Sequence, residues 1–357
     1  MNKLPKNWQE YKLKDLCVIN YGKGLGKSNI VNGNIPVYSS GGIIGFHNTY
    51  NVNSEGVIIG RKGNAGSVFY SDKPFFCIDT AFYIEPNNQY DLKYLFYKLV
   101  SMNLKNHKTG TAIPGLIRND IYKLSISIPP LDEQKRIASA LSKIDAYLEN
   151  TIKLIEEKER FKRGIAKKLL TCKEGENIPE ARFKGFEDEW ETKTLNSISN
   201  IKKGEQKNKL DLIADGKYPV LNGGMNFSGY CNSYNREANT ITISEGGNAG
   251  YVNFIKEKFW SSGHCYTLHD LKIDKYFLYQ CLKNSEKRLM KLQLGTALKN
   301  IRQSEIVEFE LNIPKSIKEQ EKIGGYLSLL DEEIDNLKKQ KELIKEMKRG
   351  AMQKLLS

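Results

Sequence analysis

From Ile137 onward, apolar side chains recur at steps of four and three along a run otherwise filled with Glu and Lys: Leu141, Ile144, Leu148, Ile155, Ile165 and Leu169. A second run of the same kind passes through Ile323, Leu327, Leu330, Ile334, Leu337, Ile344, Ala351 and Leu355. Such a heptad seam predicts two long helices, each with one apolar stripe in need of a partner. Lys158, Lys162, Lys341 and Lys348 fall on the seam and make it imperfect. A single solvated helix tolerates that, and so does a two-helix coil whose register must be held. Two matching helices in one chain favour the coil. Ahead of each run the periodicity shortens. GVIIG (56–60), SVFY (67–70) and NTITIS (239–244) lie among Gly, Asn and Tyr and predict strands between turns. DLKYLFYKLVSMNL, from Asp91, predicts a helix.

The pattern is written twice. Trp8 answers Trp190, Pro36-Val37 answers Pro219-Val220, and GFHNTYN from Gly45 answers GYCNSYN from Gly229. GNAG at 63–66 recurs at 247–250, TGTAIPGLIRNDI from Thr109 as LGTALKNIRQSEI from Leu294, and KRGIAKKLL from Lys162 as KRGAMQKLL from Lys348. Order is preserved throughout, so the period marks duplicated domains and not a solenoid. Pro129-Pro130 and Pro314 punctuate the passage from sheet-rich part to helix. The expected organisation is a first sheet-rich domain at 1–130, a helix at 131–173, a linker at 174–186, a second domain at 187–314 and a second helix at 315–357.

Composition narrows the partner. The chain has 357 residues, 27% of them charged and 39% hydrophobic, with a formal net charge of +13. Both halves are basic, which favours a polyanionic partner. The N-terminus shows no apolar signal region and no stretch is apolar enough to span a bilayer, so a cytoplasmic protein is expected. Six cysteines occur without a CxxC pair, in keeping with free thiols. His264, Cys265 and His269 lie close together but lack a fourth ligand at a workable spacing, so no metal site is expected.

Familiar catalytic motifs fail on inspection. GKGLGKS (22–28) ends like a phosphate-binding loop, yet the first glycine of that motif would fall at Tyr21. The following NIVNGNIPVYSS contains Asn-Gly and Ile-Pro, which oppose the helix such a loop requires. Ile128-Pro129-Pro130-Leu131 has the wrong ends for an amino-methyltransferase motif. Glu191-Thr192-Lys193 resembles half of a nuclease site but lacks a spaced upstream acid and has a doubtful strand context. No catalytic constellation emerges.

The two junctions, IPPLDEQKRIASALSKID from Ile128 and IPKSIKEQEKIGGYLSLLD from Ile313, share Ile-Pro, then Glu-Gln, then a heptad helix. Together with the duplicated order this resembles the specificity subunit of type I restriction–modification systems, over essentially the whole chain. The second junction departs locally, with Lys315-Ser316-Ile317 where Pro130-Leu131 stands in the first. The resemblance implies an α+β fold: two target-recognition domains joined by two long antiparallel coiled-coil helices, with an internal pseudo-two-fold repeat. It implies recognition of a bipartite, asymmetric site on double-stranded DNA by a chain without catalysis of its own. It further implies two methyltransferase subunits and motor-nuclease restriction subunits as partners, which would carry S-adenosylmethionine, ATP and Mg. A coiled-coil adaptor joining two similar ligand-binding domains is the alternative.

Within that frame, side chains that differ at matched loops are candidates for base readout and shared ones for phosphate contact. GKGLGKS aligns through Gly22 with GEQKNK at Gly204. Lys23, Lys27 and Ser28, with Lys203, Gln206, Lys207 and Lys209, are the first set of expected DNA contacts. Arg61 and Lys62 precede the first GNAG, with Ser244-Glu245 taken as their counterparts; Arg favours guanine and Glu can accept from cytosine. Lys108, Thr109 and Arg118, against Lys299, Asn300 and Arg302, form the third set, with Arg118 and Arg302 read as shared phosphate anchors. GNAG itself reads as a tight turn.

Overall fold

The computed structural model describes residues 7–26, 33–108, 115–295 and 299–357. The chain forms two compact units, Met1–Ile152 with Lys339–Ser357, and Lys153–Lys338. In the first unit β1 (Gln9–Lys12) and α1 (Leu13–Leu16) lead into β2 (Asn20–Tyr21), β3 (Ile35–Ser39), β4 (Gly42–His47), β5 (Gly56–Gly60), β6 (Val68–Ser71), β7 (Phe76–Cys77) and β8 (Ala81–Ile84). Helix α2 (Leu92–Ser101), a 3₁₀ turn at Leu104–His107, α3 (Arg118–Tyr122) and β9 (Ser125–Ile128) precede the long helix α4 (Leu131–Leu170). The second repeat restates this with β10 (Glu191–Thr194), α5 (Leu195–Ile198), β11 (Asn200–Lys203), β12 (Tyr218–Leu221), β13 (Gly229–Cys231), β14 (Thr240–Ser244), β15 (Val252–Ile255), β16 (Trp260–Ser261) and β17 (Cys265–His269). It continues with α6 (Lys275–Asn284), α7 (Glu286–Met290), α8 (Gln303–Val307), β18 (Glu310–Ile313) and the long helix α9 (Ile317–Leu355). Helix α7 stands where the first repeat has its 3₁₀ turn.

The sheets repeat strand for strand. The first repeat has sheets ordered β1-β9, β2-β8-β5-β6 and β4-β3-β7; the second has β10-β18, β11-β17-β14-β15 and β13-β12-β16. Strand β5 lies between two partners and is buried along its whole length, which is why GVIIG is a continuous apolar run and not an alternating one. Its counterpart β14 is equally buried. The GNAG segments turn tightly: Gly63 and Gly66 have φ of 74° and 84°, and Gly247 and Gly250 have 71° and 87°. A side chain at Gly66 or Gly250 would collide with the main chain of Lys105 or Met290, so these turns pack against the 3₁₀ turn and α7.

The Glu-Gln of each junction now has a physical account. Gln134 is buried; its amide donates to Pro129 O at 2.9 Å and accepts from Asp91 N–H at 2.9 Å. Asp91 in turn caps α2 by accepting from Tyr94 N–H at 2.8 Å. Gln320 does the same with Pro314 O at 2.8 Å and Asp274 N–H at 2.9 Å, and Asp274 caps α6 through Phe277 N–H at 2.8 Å. One side chain thus ties the start of each long helix to the cap of the short helix beside it. Gln134→Leu keeps the volume but strands two buried backbone groups, and is expected to destabilise the first unit by about 2 kcal/mol. Urea unfolding checks this; a midpoint equal to the parent's would show that the amide is dispensable.

The coil is antiparallel within each unit. In the second unit Lys158 meets Glu333 at 2.6 Å, while Lys162, further along α4, meets Asp331, earlier along α9, at 2.5 Å. In the first unit Lys348 reaches Asp145 at 2.5 Å and Gln340 donates to the Tyr147 hydroxyl. Two of the lysines that interrupt the seam are therefore answered by an aspartate on the other helix, at matched places in the two repeats. Each aspartate also receives a sheet-domain group: Tyr97 OH donates to Asp145 at 2.7 Å and Gln280 to Asp331 at 2.7 Å. Register, helix pairing and domain attachment meet at one carboxylate in each unit. The seam residues Leu141, Ile155, Leu169, Ile323, Leu327, Ile334 and Ile344 are buried around these polar points.

The stretch 171–190 lacks an apolar period, but it is well anchored. Thr171 O accepts from Glu180 N–H, Asn177 O accepts from Trp190 N–H, and Arg182 binds the buried Glu319 at 2.7 and 2.8 Å. No helix among the described residues is long and apolar enough to cross a membrane.

Candidate nucleic-acid interface

Three connections far apart in sequence meet at one end of the four-stranded sheet in the first unit. After β2 the chain runs into GKGLGKS, where Lys23 N–H donates to Cys77 O at 2.9 Å and the Lys23 side chain is exposed. After β5 come Arg61 and Lys62, whose N–H groups both donate to Thr80 O. Leading into α3, Leu116 N–H donates to Arg61 O at 2.8 Å, and Lys62 bridges Gly115. The side chains meet as well. The Arg61 guanidinium lies 4.9 Å from the Tyr21 ring centre and 5.7 Å from that of Phe82; Arg118 lies 4.7 Å from Tyr21 and 5.8 Å from Tyr122. Tyr21 and Phe82 are themselves edge-to-face at 5.0 Å. Two cations thus converge on one aromatic ring, and each such contact is worth about 0.5–1 kcal/mol where solvent reaches it. Arg61 also donates to Asp79 O at 3.2 Å. Lys62 and Lys108 are exposed and Lys108 closes the 3₁₀ turn.

The second unit builds the same junction from other side chains. Lys203 ends β11 and its ammonium reaches Glu245 at 2.6 Å; Tyr266 OH donates to the same carboxylate at 2.9 Å, and His264 faces it at 3.6 Å. Burial, followed by this bond to Glu245, raises the Tyr266 pKa well above the ordinary phenol value. Ile301 N–H donates to Glu245 O at 2.9 Å, as Leu116 does to Arg61. Lys207 lies 3.5 Å from the centre of the Trp260 ring and reaches Ser233 at 3.2 Å. Gln206, Lys209, Lys299, Asn300 and Arg302 are exposed on the connections around it.

Three matched pairs need correction. Gly60 and Ser244 occupy the same register, opposite Ala81 and Cys265, so Arg61 corresponds to Glu245 and Lys62 to Gly246, not to Ser244 and Glu245. Arg118 and Arg302 are not equivalent. Arg118 opens α3 and donates to Ile19 O at 3.4 Å, whereas Gln303 opens α8 and donates to Ile201 O at 3.0 Å; Arg302 sits one residue earlier, at the place of Ile117. Helix starts and backbone bonds set this register, and an arginine shared between neighbouring columns misleads. Lys27, Ser28 and Thr109 lie outside the described residues.

The aromatic members Tyr21, Phe82, Trp260 and Tyr266 were not among the candidates. Only Tyr21 carried a signal, as the residue beside Gly22. The others reach the site from β8, β16 and β17 by strand pairing.

His264 faces Glu245, Cys265 points into the core with its thiol pKa pushed up to about 11 by burial, and His269 bonds Thr267 at 2.8 Å. No group of three or more His, Cys, Asp or Glu among the described residues could hold a metal ion. Glu191-Thr192-Lys193 does lie on a strand, β10, where Lys193 pairs with Glu191 at 3.2 Å.

The family model for the type I restriction modification DNA specificity domain matches residues 5–157 and again 187–346, one match for each repeat. The chain belongs to the type I DNA specificity family. This chain is 40% identical over 151 residues to a Mycoplasma pneumoniae protein named as a type I specificity subunit; the match covers 42% of this chain and 40% of that protein, less than half its length. It is 27% identical over 337 residues to the specificity subunit of the MjaVIII type I restriction enzyme of Methanocaldococcus jannaschii, covering 86% of this chain and 79% of that one. The crystal structure of the S subunit of a type I restriction–modification system from M. genitalium superposes with a TM-score of 0.79 at 24% identity, over 99% of this chain and 98% of the other, so this chain shares its fold.

Proposed function

We propose that this chain reads double-stranded DNA at a bipartite, asymmetric site, one repeat for each part, and so directs partner subunits that carry the chemistry. One observation carries the reading. In both repeats three sequence-distant connections converge on the same end of the same sheet, on one backbone plan, while the side chains they present differ. A shared backbone with different side chains is what two related but unequal half-sites require. Lys23, Lys62 and Lys108, with Lys207, Lys209, Lys299 and Arg302, supply the cations for phosphates, while Lys203 and Arg118 flank the base-reading residues; Gln206 and Asn300 stand on the same connections, and Lys27, Ser28 and Thr109 are further candidates from the sequence alone. Arg61 and Glu245 are the base-reading members. The partners in this reading are two methyltransferase subunits and motor-nuclease restriction subunits, which hold S-adenosylmethionine, ATP and Mg.

Binding of the purified chain to duplexes, measured from low to moderate salt, tests the reading. Affinity is expected to fall steeply with salt, and Lys23→Ala and Lys62→Ala should each weaken all duplexes alike and lower the log–log slope by about one. Duplex binding that is absent or indifferent to salt would favour the adaptor instead.

A further inference from the structure

Four positions co-vary between the repeats at structurally equivalent places. Tyr21 and Lys203 end the strands β2 and β11, opposite Phe82 and Tyr266 respectively. Arg61 and Glu245 follow β5 and β14, and Arg118 and Gln303 open α3 and α8. The first repeat therefore holds Tyr, Phe and two arginines; the second holds Lys, Tyr, Glu and Gln. In the first, both guanidiniums rest on the faces or edges of aromatic rings within 5.8 Å. In the second, one carboxylate is gripped by an ammonium at 2.6 Å and a phenol at 2.9 Å. Each set is internally consistent, and a mixture is not. A carboxylate at position 61 would face the negative π-clouds of Tyr21 and Phe82 and would be drawn to Arg118. An arginine at position 245 would be pressed against the Lys203 ammonium. The formal charge of the set is +2 in the first repeat and zero in the second.

Resting on the reading of the chain as a DNA-recognition protein, we propose that these four positions form one specificity element. The middle residue, Arg61 or Glu245, meets a base edge. The other three are positioning residues that decide which edge of it is presented. Aromatic contacts hold the Arg61 guanidinium and Asp79 O takes one donor of Nη1, while its remaining N–H donors match the acceptors of a guanine. Lys203 and Tyr266 occupy one oxygen of Glu245, Oε1, and leave Oε2 to accept from a base amino group such as that of cytosine. His264, 3.6 Å from that second oxygen, borders the position; Thr80 stands there in the first repeat. Tyr266 OH also lies 3.4 Å from Ile301 O, so the phenol is fixed from two sides.

The element predicts that specificity moves only as a set. The chain is expressed with its modification subunits, a plasmid library is methylated, and the modified sites are read. Arg61→Glu alone should reduce discrimination at one base pair of the first half-site by about tenfold, without a new preference. The quadruple variant Y21K/R61E/F82Y/R118Q should acquire, at that one base pair, the base preferred at the corresponding place in the second half-site, and leave the second half-site as it was. The reciprocal K203Y/E245R/Y266F/Q303R should transfer the first repeat's preference to the second. The proposal is overturned if the single and quadruple variants show the same preference, or if either graft leaves its half-site unchanged. Since Phe82 is fully buried, the reciprocal variant, which removes a hydroxyl instead of adding one, decides the matter should the first graft not fold. A wild-type chain that specifies no modified site at all would instead refute the recognition function itself, an outcome distinct from a readable site that ignores the four positions.

Discussion

Glu319→Ala is expected to destabilise the second unit by about 3–5 kcal/mol, the range for removing one partner of a buried ion pair. The Glu319 side chain is 1% exposed and that of Arg182 is 13% exposed. Arg182 Nε and Nη2 donate to the two carboxylate oxygens at 2.7 and 2.8 Å, and Nη2 also donates to Asp188 O at 2.6 Å. Trp190 Nε1 lies 3.4 Å from the same carboxylate. Truncating the acid leaves a guanidinium and a buried indole N–H without their acceptor, and frees the 171–190 stretch from the start of α9. Glu133 holds the same place in the first junction but is only half-buried, so Glu133→Ala is expected to cost far less. Denaturant unfolding followed by tryptophan fluorescence measures both, with Trp190 reporting from inside the second unit. Equal, small losses for the two alanines would show that the Arg182–Glu319 pair is not a structural contact of consequence. Arg182→Met combined with Glu319→Met should recover most of the loss, since burying apolar groups in place of a buried pair is often neutral.

Gly22→Ala and Gly204→Ala should each cost about 3 kcal/mol, the upper end for forcing extra atoms into a packed site. A Cβ at Gly22 would fall under 3.0 Å from Ile78 O, Ile78 C and Cys77 O, all of them main-chain atoms that cannot swing aside. At Gly204 it would fall under 3.0 Å from Ser262 O and Ser261 O. These glycines let the strand-end connection lie directly against the neighbouring backbone, where Lys23 N–H and Gly204 N–H make their bonds to Cys77 O and Cys265 O. The first glycine of GKGLGKS is thus a close-approach residue and not part of a phosphate cradle. Because each substitution displaces only its own repeat's connection, methylation mapped on a site library should lose discrimination in one half-site per variant. A parental unfolding midpoint together with unaltered half-sites would show that the backbone has room there.

The long helices, the duplicated order and the buried strands β5 and β14 were readable because each is encoded locally. A heptad seam, a run such as GVIIG between turn residues, or a recurring GNAG depends only on neighbours in the chain. GNAG was legible as a turn for the same reason, since a glycine-rich tetrapeptide is free to adopt positive φ wherever it lies. The lysines at 162 and 348 were visible as faults in the seam, but their answer was not, because Asp331 and Asp145 lie on the other helix. The buried glutamines were visible as half of a Glu-Gln motif; their task depends on Asp91 and Asp274, brought within 2.9 Å only by the docking of α2 and α6. The interface divides the same way. Net charge and matched basic loops pointed to Arg61 and Glu245 but set Ser244 against Arg61; strand register made Glu245 its counterpart. Tyr21, Phe82, Lys203 and Tyr266 became their neighbours through the pairing of β2 with β8 and β11 with β17. Helix starts and backbone bonds decided that Arg118 corresponds to Gln303. Periodicity and composition act over a few residues and survive in the sequence alone. A hydrogen bond or ion pair between residues many positions apart exists only once the backbone has closed the distance, and its partners leave no mark in either local stretch.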